Sequence, residues 1–270
     1  VVLIVIFLYR NWTGGNPLRG VIPLSGYLRV LKTYVSAATL RFVLAVAVPV
    51  VLVILIASAI NHWLMGLVWL LFALFILAYS IEVHETDLVF DDQAQWLRSL
   101  GEEDSLVECR QRQQDFRLLT TYAVFQSLYP ALFWFIVFGP AGAVLYIVTR
   151  QYVEAVEDES ESSLADRTLH WLEWPAIRVT GLIFALLGHF GNCFERWLES
   201  LSDMRQHAGG LVLGQLADAA TNGAEKLDIA PDMQTFAARS EGANVALRQL
   251  LDRTPFGWLG LAAIVTIMGY

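Results

Sequence analysis

The first 81 residues contain no acidic side chain; the first acid in the chain is Glu82. Charge of either sign is scarce. Asp, Glu, Lys and Arg make up 16% of the 270 residues, against about 25% in an ordinary soluble domain. That deficit implies apolar surface facing something other than water. Cysteine is nearly missing as well. Cys109 and Cys193 are the only two, and neither stands in a CxxC or other metal-ligand spacing. A disulfide framework and a structural zinc are thereby excluded, and both thiols read as packing residues. Basic charge is outnumbered: 18 Lys and Arg against 26 Asp and Glu give a net charge of −8. This excludes a broad basic surface, and with it nucleic acid as a partner. Strand alternation is also missing, and no Asn-Gly hairpin stands out, so the fold class is all-α.

What the chain does have is long apolar runs. A membrane-spanning helix needs about 20 mostly apolar residues. Residues 42–60 meet this with no charge, and so do residues 64–81. Only Asn61, His62 and Trp63 separate them, which predicts a tight transmembrane hairpin. Trp63 and Trp69 have the amphipathic rings that favour a membrane interface. A third span is expected at 128–149. Its centre is Gly139-Pro140-Ala141-Gly142, where proline removes a helical hydrogen bond and glycine tolerates unusual backbone angles. This segment is therefore either kinked or split into a re-entrant pair. Further candidates are 1–10, 175–190 and 255–270. Val1–Leu8 has no small-residue cleavage site behind it and reads as the end of a membrane-inserted helix. Pro175 fits a first helical turn.

All five basic residues of 1–41, namely Arg10, Arg19, Arg29, Lys32 and Arg41, are unopposed by acid. The positive-inside rule then places 11–41 in the cytoplasm, the 61–63 turn outside and 82–127 inside. Residues 150–174 hold seven acids against Arg150 and Arg167. This loop is external if 128–149 spans and cytoplasmic if it is re-entrant. The polar segments 82–127 and 191–254 read as helical. In the first, 87–100 is amphipathic, Gly101 closes it, and Ser105–Glu108 fits a capping box. In the second, 194–220 and 231–251 have helical periodicity. The whole chain, 1–270, reads as a single membrane domain.

Few polar groups suggest chemistry. Glu82-Val-His84-Glu85-Thr-Asp87 is the densest polar cluster at a membrane edge. His84 and Asp87 would share a helix face, although a solvated exit from the membrane accounts for the same residues. Gly209-Gly210-Leu-Val-Leu-Gly214 lacks the Lys and Ser/Thr of a phosphate loop, so its glycines read as sites of close helix packing. Arg178 in an apolar stretch needs a partner or must snorkel. His189 stands where an apolar helix ends, and its imidazole would serve the terminal carbonyls. No metal site and no cofactor can be named.

Two blocks carry a resemblance. The first is Pro130-Ala-Leu-Phe-Trp-Phe-Ile-Val-Phe-Gly139-Pro140-Ala-Gly142-Ala-Val-Leu-Tyr146. The second is Leu172-Glu-Trp174-Pro175-Ala-Ile-Arg178-Val-Thr-Gly181, running on through Phe184-Ala-Leu-Leu-Gly188-His189. Together they resemble the AmpE family, inner-membrane proteins of Gram-negative bacteria associated with induction of the AmpC β-lactamase. That family is in turn remotely similar to CobD/CbiB, membrane enzymes of cobalamin synthesis that form an amide bond at the expense of ATP. The resemblance implies a CobD/CbiB-like membrane scaffold, with Gly139, Pro140, Gly142 and Pro175 as its structural motif. The synthases carry Glu-Asn-x-x-Asp before the Gly-Pro turn and Asn-Thr-Leu-Asp after the tyrosine. Here those stretches are Tyr122-Ala-Val-Phe-Gln126 and Arg150-Gln-Tyr-Val153. Without those acids, Mg²⁺-dependent ligase chemistry lacks its ligands.

The resemblance therefore implies an inner-membrane, multi-pass signalling or accessory protein, without catalysis. It would modulate AmpC induction and the cell-wall stress response by binding a cell-wall-derived small ligand, a lipid or a membrane protein partner. The ligand-binding candidates are Arg178, His189, Tyr146, Arg150, Glu82 and His84, with Arg178 as the contact for an anionic group. The alternative is an enzyme with altered synthase chemistry, which would require those polar groups to converge on one pocket. A transporter would need internal repeats or charges deep inside the spans.

Overall fold

The computed structural model describes residues 1–11, 24–60, 66–82, 86–101, 103–156, 159–202, 209–223 and 230–269. Among them there are eleven helices and no strand. They are α1 (Val2–Asn11), α2 (Leu24–Tyr34), α3 (Ala38–Ile60), α4 (Leu67–Tyr79), α5 (Thr86–Ser99), α6 (Leu106–Phe138), α7 (Pro140–Ala155), α8 (Glu159–Leu187), α9 (Phe190–Ser202), α10 (Gly209–Thr221) and α11 (Met233–Ile267). Three of the described helices, α3, α6 and α11, are long and apolar enough to cross a membrane. The protein is thus an α-helical membrane protein.

The chain divides into two compact units interleaved in sequence. One holds residues 1–83 and 127–176, the other 84–126 and 177–270. Helices α6 and α8 each supply residues to both.

The first unit is built on α3. This helix has no charge beyond its first turn and contains Pro49 in its interior. Val43, Val48, Val51, Leu52, Ile54 and Leu55 are exposed on it, as expected of a surface that meets lipid tails. Its other side packs on α7. Phe42 meets Tyr152 edge to face at 5.2 Å, and Leu28, Ala45 and Ala165 complete that cluster. The Tyr27 hydroxyl donates to the Leu44 carbonyl at 2.8 Å, which ties α2 to α3. The second arm of the expected hairpin is short. α4 has 13 residues, about 20 Å at about 1.5 Å per residue, where the sequence suggested 64–81. Ser80 turns the chain by donating its hydroxyl back to Ile76 O at 2.8 Å. The 61–63 turn lies outside the described residues.

The third expected span takes a different form. The polar 106–127 stretch and the apolar 128–138 stretch form one 33-residue helix, α6. The chain then breaks at Gly139, whose φ of 66° and ψ of −153° suit glycine alone. Pro140 opens α7 as its first residue, where a missing N–H costs nothing. The reversal is sharp: a β-carbon on Gly142 would overlap the Trp134 carbonyl oxygen and lie 2.7 Å from its carbon. Segment 128–149 is thus the end of one helix and the start of another, folded against each other. Pro175 corrects a second expectation. It lies inside α8 rather than at a helix start, and Pro255 is likewise inside α11. The apolar stretch after 175 closes α8 at Leu187 and that after 255 closes α11 at Ile267; the earlier turns of both helices are polar, so neither begins at its proline.

The second unit is held by buried polar contacts. Gln93 on α5 donates to Gln113 on α6 at 2.7 Å, and Gln113 donates to Asn244 on α11 at 2.5 Å. Arg117, 2% exposed, donates to Asp218 Oδ1 at 2.7 Å through Nε, to the Ala243 carbonyl at 2.9 Å and to Thr221 Oγ1 at 3.0 Å. Such a node fastens α6, α10 and α11 together. The glycines of 209–214 have the packing role expected of them. β-carbons at Gly210 and Gly214 would press on Tyr122 and Leu118 of α6, at 3.0 and 3.2 Å. The 194–220 stretch is two helices, α9 and α10, rather than one. Cys109 and Cys193 are free and buried.

Candidate functional site

Helix α7 places Tyr146, Arg150 and Glu154 four residues apart, and therefore along one face. The Arg150 guanidinium reaches Glu82 at 2.5 Å and Glu154 at 3.0 Å. Glu82 is fixed in turn by its own N–H, which donates to the Ser127 carbonyl at 2.9 Å. One turn earlier, the Tyr146 hydroxyl donates to Glu173 Oε1 of α8 at 3.1 Å. Tyr146 is fully buried, Glu173 is 3% exposed and Arg150 is 9% exposed. Trp134 Nε1 donates to the Leu172 carbonyl at 2.8 Å, beside Glu173 in the chain. That bond links α8 to the last turns of α6, which the Gly-Pro break folds onto α7. The break therefore sets the geometry of the cluster.

A buried charge is tolerated only when paired and hydrogen-bonded. Arg150 meets that condition with two carboxylates, and Glu173 with a phenol. The cluster sets one guanidinium against three carboxyl groups. It suits a ligand or partner segment that brings hydrogen-bond donors or positive charge. Its polar groups are tied to one another by these ion pairs and hydrogen bonds, a form of the preorganisation a binding site needs.

Of the sequence candidates, Glu82, Tyr146 and Arg150 come together here. Arg178 and His189 belong to the other unit. Arg178 is 7% exposed and donates through Nη2 to the Ser200 carbonyl at 2.7 Å, near the end of α9, while its own carbonyl accepts Trp197 Nε1 at 2.7 Å. His189 is exposed. Its backbone N–H, rather than its imidazole, makes the tertiary bond, to Ala220 O at 2.9 Å. Its neighbour Gly188 lies so near α10 that a β-carbon would overlap the Ala220 carbonyl oxygen. His84 lies outside the described residues, so the His84–Asp87 pairing does too. Described Asp87 instead accepts from Arg248 at 2.5 Å.

Sequence reasoning overlooked Glu154 and Glu173. The signal for Glu154 was its spacing of four from Arg150 and eight from Tyr146. Glu173 stood out less, as a lone acid between Leu172 and Trp174, but an acid in apolar company is a group that must find a donor.

No curated protein and no solved structure matches the chain. A family model does: the one described as regulatory signalling modulator protein AmpE matches residues 3–240, and the chain belongs to the AmpE family.

Proposed function

We propose that the protein is a multi-pass inner-membrane signalling component that modulates induction of the AmpC β-lactamase and the cell-wall stress response. It acts by binding a small ligand or a membrane partner, without catalysis. The observation that carries this reading is the family match over residues 3–240, to a family described as regulatory signalling modulators. The paired state of Arg150 supports the non-catalytic half. A guanidinium already held by Glu82 and Glu154 is a positioning device, not a poised acid or base. The positions where the CobD/CbiB synthases carry acids hold Tyr122–Gln126 and Arg150–Val153 here. In the first unit the ligand or partner segment would meet Glu82, Tyr146 and Arg150; Arg178 and His189 are separate candidates within the second unit.

The test is a strain lacking this chain, restored with wild type or variants and exposed to an inducing β-lactam. Wild type should restore the induction of β-lactamase activity. Arg178→Ala and Arg150→Ala should not, while both remain in the membrane fraction. Induction that is the same with and without the chain sinks the reading. Mass spectrometry of small molecules that co-purify with the protein separates the alternatives. A cell-wall fragment supports signalling, whereas a corrinoid or a nucleotide would favour an amide-forming enzyme.

A further inference from the structure

Helices α9 and α10 enclose an open groove of about 590 Å³ in the second unit. Its residues follow helical spacing on both walls. Asn192, Glu195, Arg196 and Glu199 come from α9; Gln215, Asp218 and Ala219 come from α10, and Asn222 follows directly after it. This face of α9 is opposite its apolar stripe, where Phe190, Phe194 and Trp197 stack at 5.0 and 5.6 Å. The groove is built rather than incidental. Cys193 is buried at the seam, with its thiol 3.4 Å from Leu216 O. Asn222 takes a left-handed backbone (φ 50°), and its Oδ1 accepts from Asn192 Nδ2 at 3.1 Å across the groove end.

Its chemistry is mixed in a specific way. Asp218 is committed to Arg117. Among the described residues, Glu195 and Arg196 form no ion pair, so a carboxylate and a guanidinium both face the groove uncommitted. Between and opposite them stand three primary amides, Asn192, Gln215 and Asn222.

We infer that this groove binds a small zwitterion containing amide bonds, that is, a short peptide. Arg196 takes its carboxylate in a bidentate pair, Glu195 takes its ammonium, and the three amides pair with its peptide units. The volume lies in the range of sites that enclose ligands of this size, about 300–1,000 Å³. A zwitterionic lipid headgroup would satisfy the two charges but has no peptide unit to match both the donor and the acceptor of an amide. The site is separate from the Arg150 cluster, and the inference goes beyond the signalling role proposed above without depending on it.

The experiment is calorimetric titration of the full-length protein in neutral detergent with trialanine, N-acetyl-trialanine, trialanine amide and glycerophosphoethanolamine. Trialanine should bind saturably. Blocking either end should weaken it by about tenfold, the worth of one charge-assisted contact. Arg196→Gln should weaken trialanine by a similar factor and leave trialanine amide unchanged. Ala219→Phe, which fills the groove floor without touching a charge, should abolish binding of all forms. Three results would overturn the inference: no saturable binding of trialanine, blocked peptides that bind as well as the free one, or glycerophosphoethanolamine binding as tightly as trialanine. None of these results bears on β-lactamase induction, so the groove can fail while the signalling role stands.

Discussion

Replacing Arg117 with methionine tests what holds the second unit together. The side chain keeps its volume but loses three partners: Asp218 on α10, Thr221 at the end of α10 and the Ala243 carbonyl on α11. The two neutral acceptors account for about 1 kcal/mol each and the charged one for about 1.5–3 kcal/mol. Asp218 keeps 25% side-chain exposure, so its orphaned carboxylate regains some hydration, and the lower part of this range applies. The expected loss is about 3–4 kcal/mol, near the about 3–5 kcal/mol seen when one partner of a buried pair is removed. Reversible unfolding in mixed micelles, followed by tryptophan fluorescence, measures it. Gly223 supplies an internal control, because a β-carbon there would overlap Arg117 Nη2. Gly223→Ala should therefore be costly in wild type and nearly free once Arg117 is methionine, a coupling that a double-mutant cycle resolves. Arg117→Met within about 1 kcal/mol of wild type, or strict additivity with Gly223→Ala, would refute the assignment of Arg117 as the fastening node.

Gly142→Ala should destabilise the first unit by at least the about 1–3 kcal/mol typical of overpacking, since the obstacle is the Trp134 backbone rather than a movable side chain; unchanged thermal stability would contradict the folded-back turn. Tyr146→Phe removes the donor to buried Glu173 and should cost about 1.5–3 kcal/mol in the same unfolding assay. Burial pushes the Cys193 thiol up to about 11, so in a Cys109→Ser background iodoacetamide at pH 8 should modify it only after unfolding; rapid labelling of the folded protein would place Cys193 at the surface. At the start of α11, Asp232 caps the helix by accepting from the Thr235 N–H at 2.7 Å, and that bond holds its carboxyl below the usual value of 3.8. A lowered pKa means stabilisation that is complete above 3.8 and lost as the pH falls through the folded value. The protection factor of the Thr235 amide should fall in that window, and Asp232→Ala should show low protection at every pH.

Much of this architecture can be read from residue order. The uncharged run at 42–60 predicts α3 because its apolar length matches lipid, and Pro49 removes one helical bond without ending the helix. Gly139-Pro140 predicts a discontinuity for the same local reason: one residue permits positive φ and the other lacks an N–H. The glycines of 209–214 predict close packing, and the structure supplies Tyr122 and Leu118 as the neighbours. What local pattern leaves out is where helices end when tertiary contacts decide it. Pro175 reads as a helix start because that is where proline costs least. Yet α8 runs through it, and Trp134 donates to the Leu172 carbonyl three residues upstream, a tertiary bond that no local pattern announces. The site is legible in the same partial way. Glu82 reads as part of a polar cluster at a membrane edge and Arg150 as a base in an acidic stretch, but their pairing spans 68 residues and no periodicity encodes it. Glu173 needed Tyr146 opposite it before it could be recognised as part of the same cluster.

The long acid-free start of the chain and the arrangement around Arg150 have one physical explanation. A membrane-facing segment tolerates basic residues near its ends, because long side chains reach the interface, but a carboxylate inside it has no such escape. Acids therefore begin only where they have a cation to meet. Glu82, the first of them, lies three residues beyond α4 and binds Arg150 directly. Glu154 closes the other side of the same guanidinium from within α7. Among the seven acids of 150–174, two have described partners. Glu154 pairs with Arg150 while keeping its side chain exposed, and Glu173 is almost fully buried against Tyr146. A loop exposed to solvent on every side would have no use for a buried carboxylate. Glu173→Gln should keep the Tyr146 contact, because an amide oxygen still accepts, whereas Glu173→Leu should lose it. If both variants unfold alike, the hydrogen bond to Tyr146 is not what holds Glu173 inside.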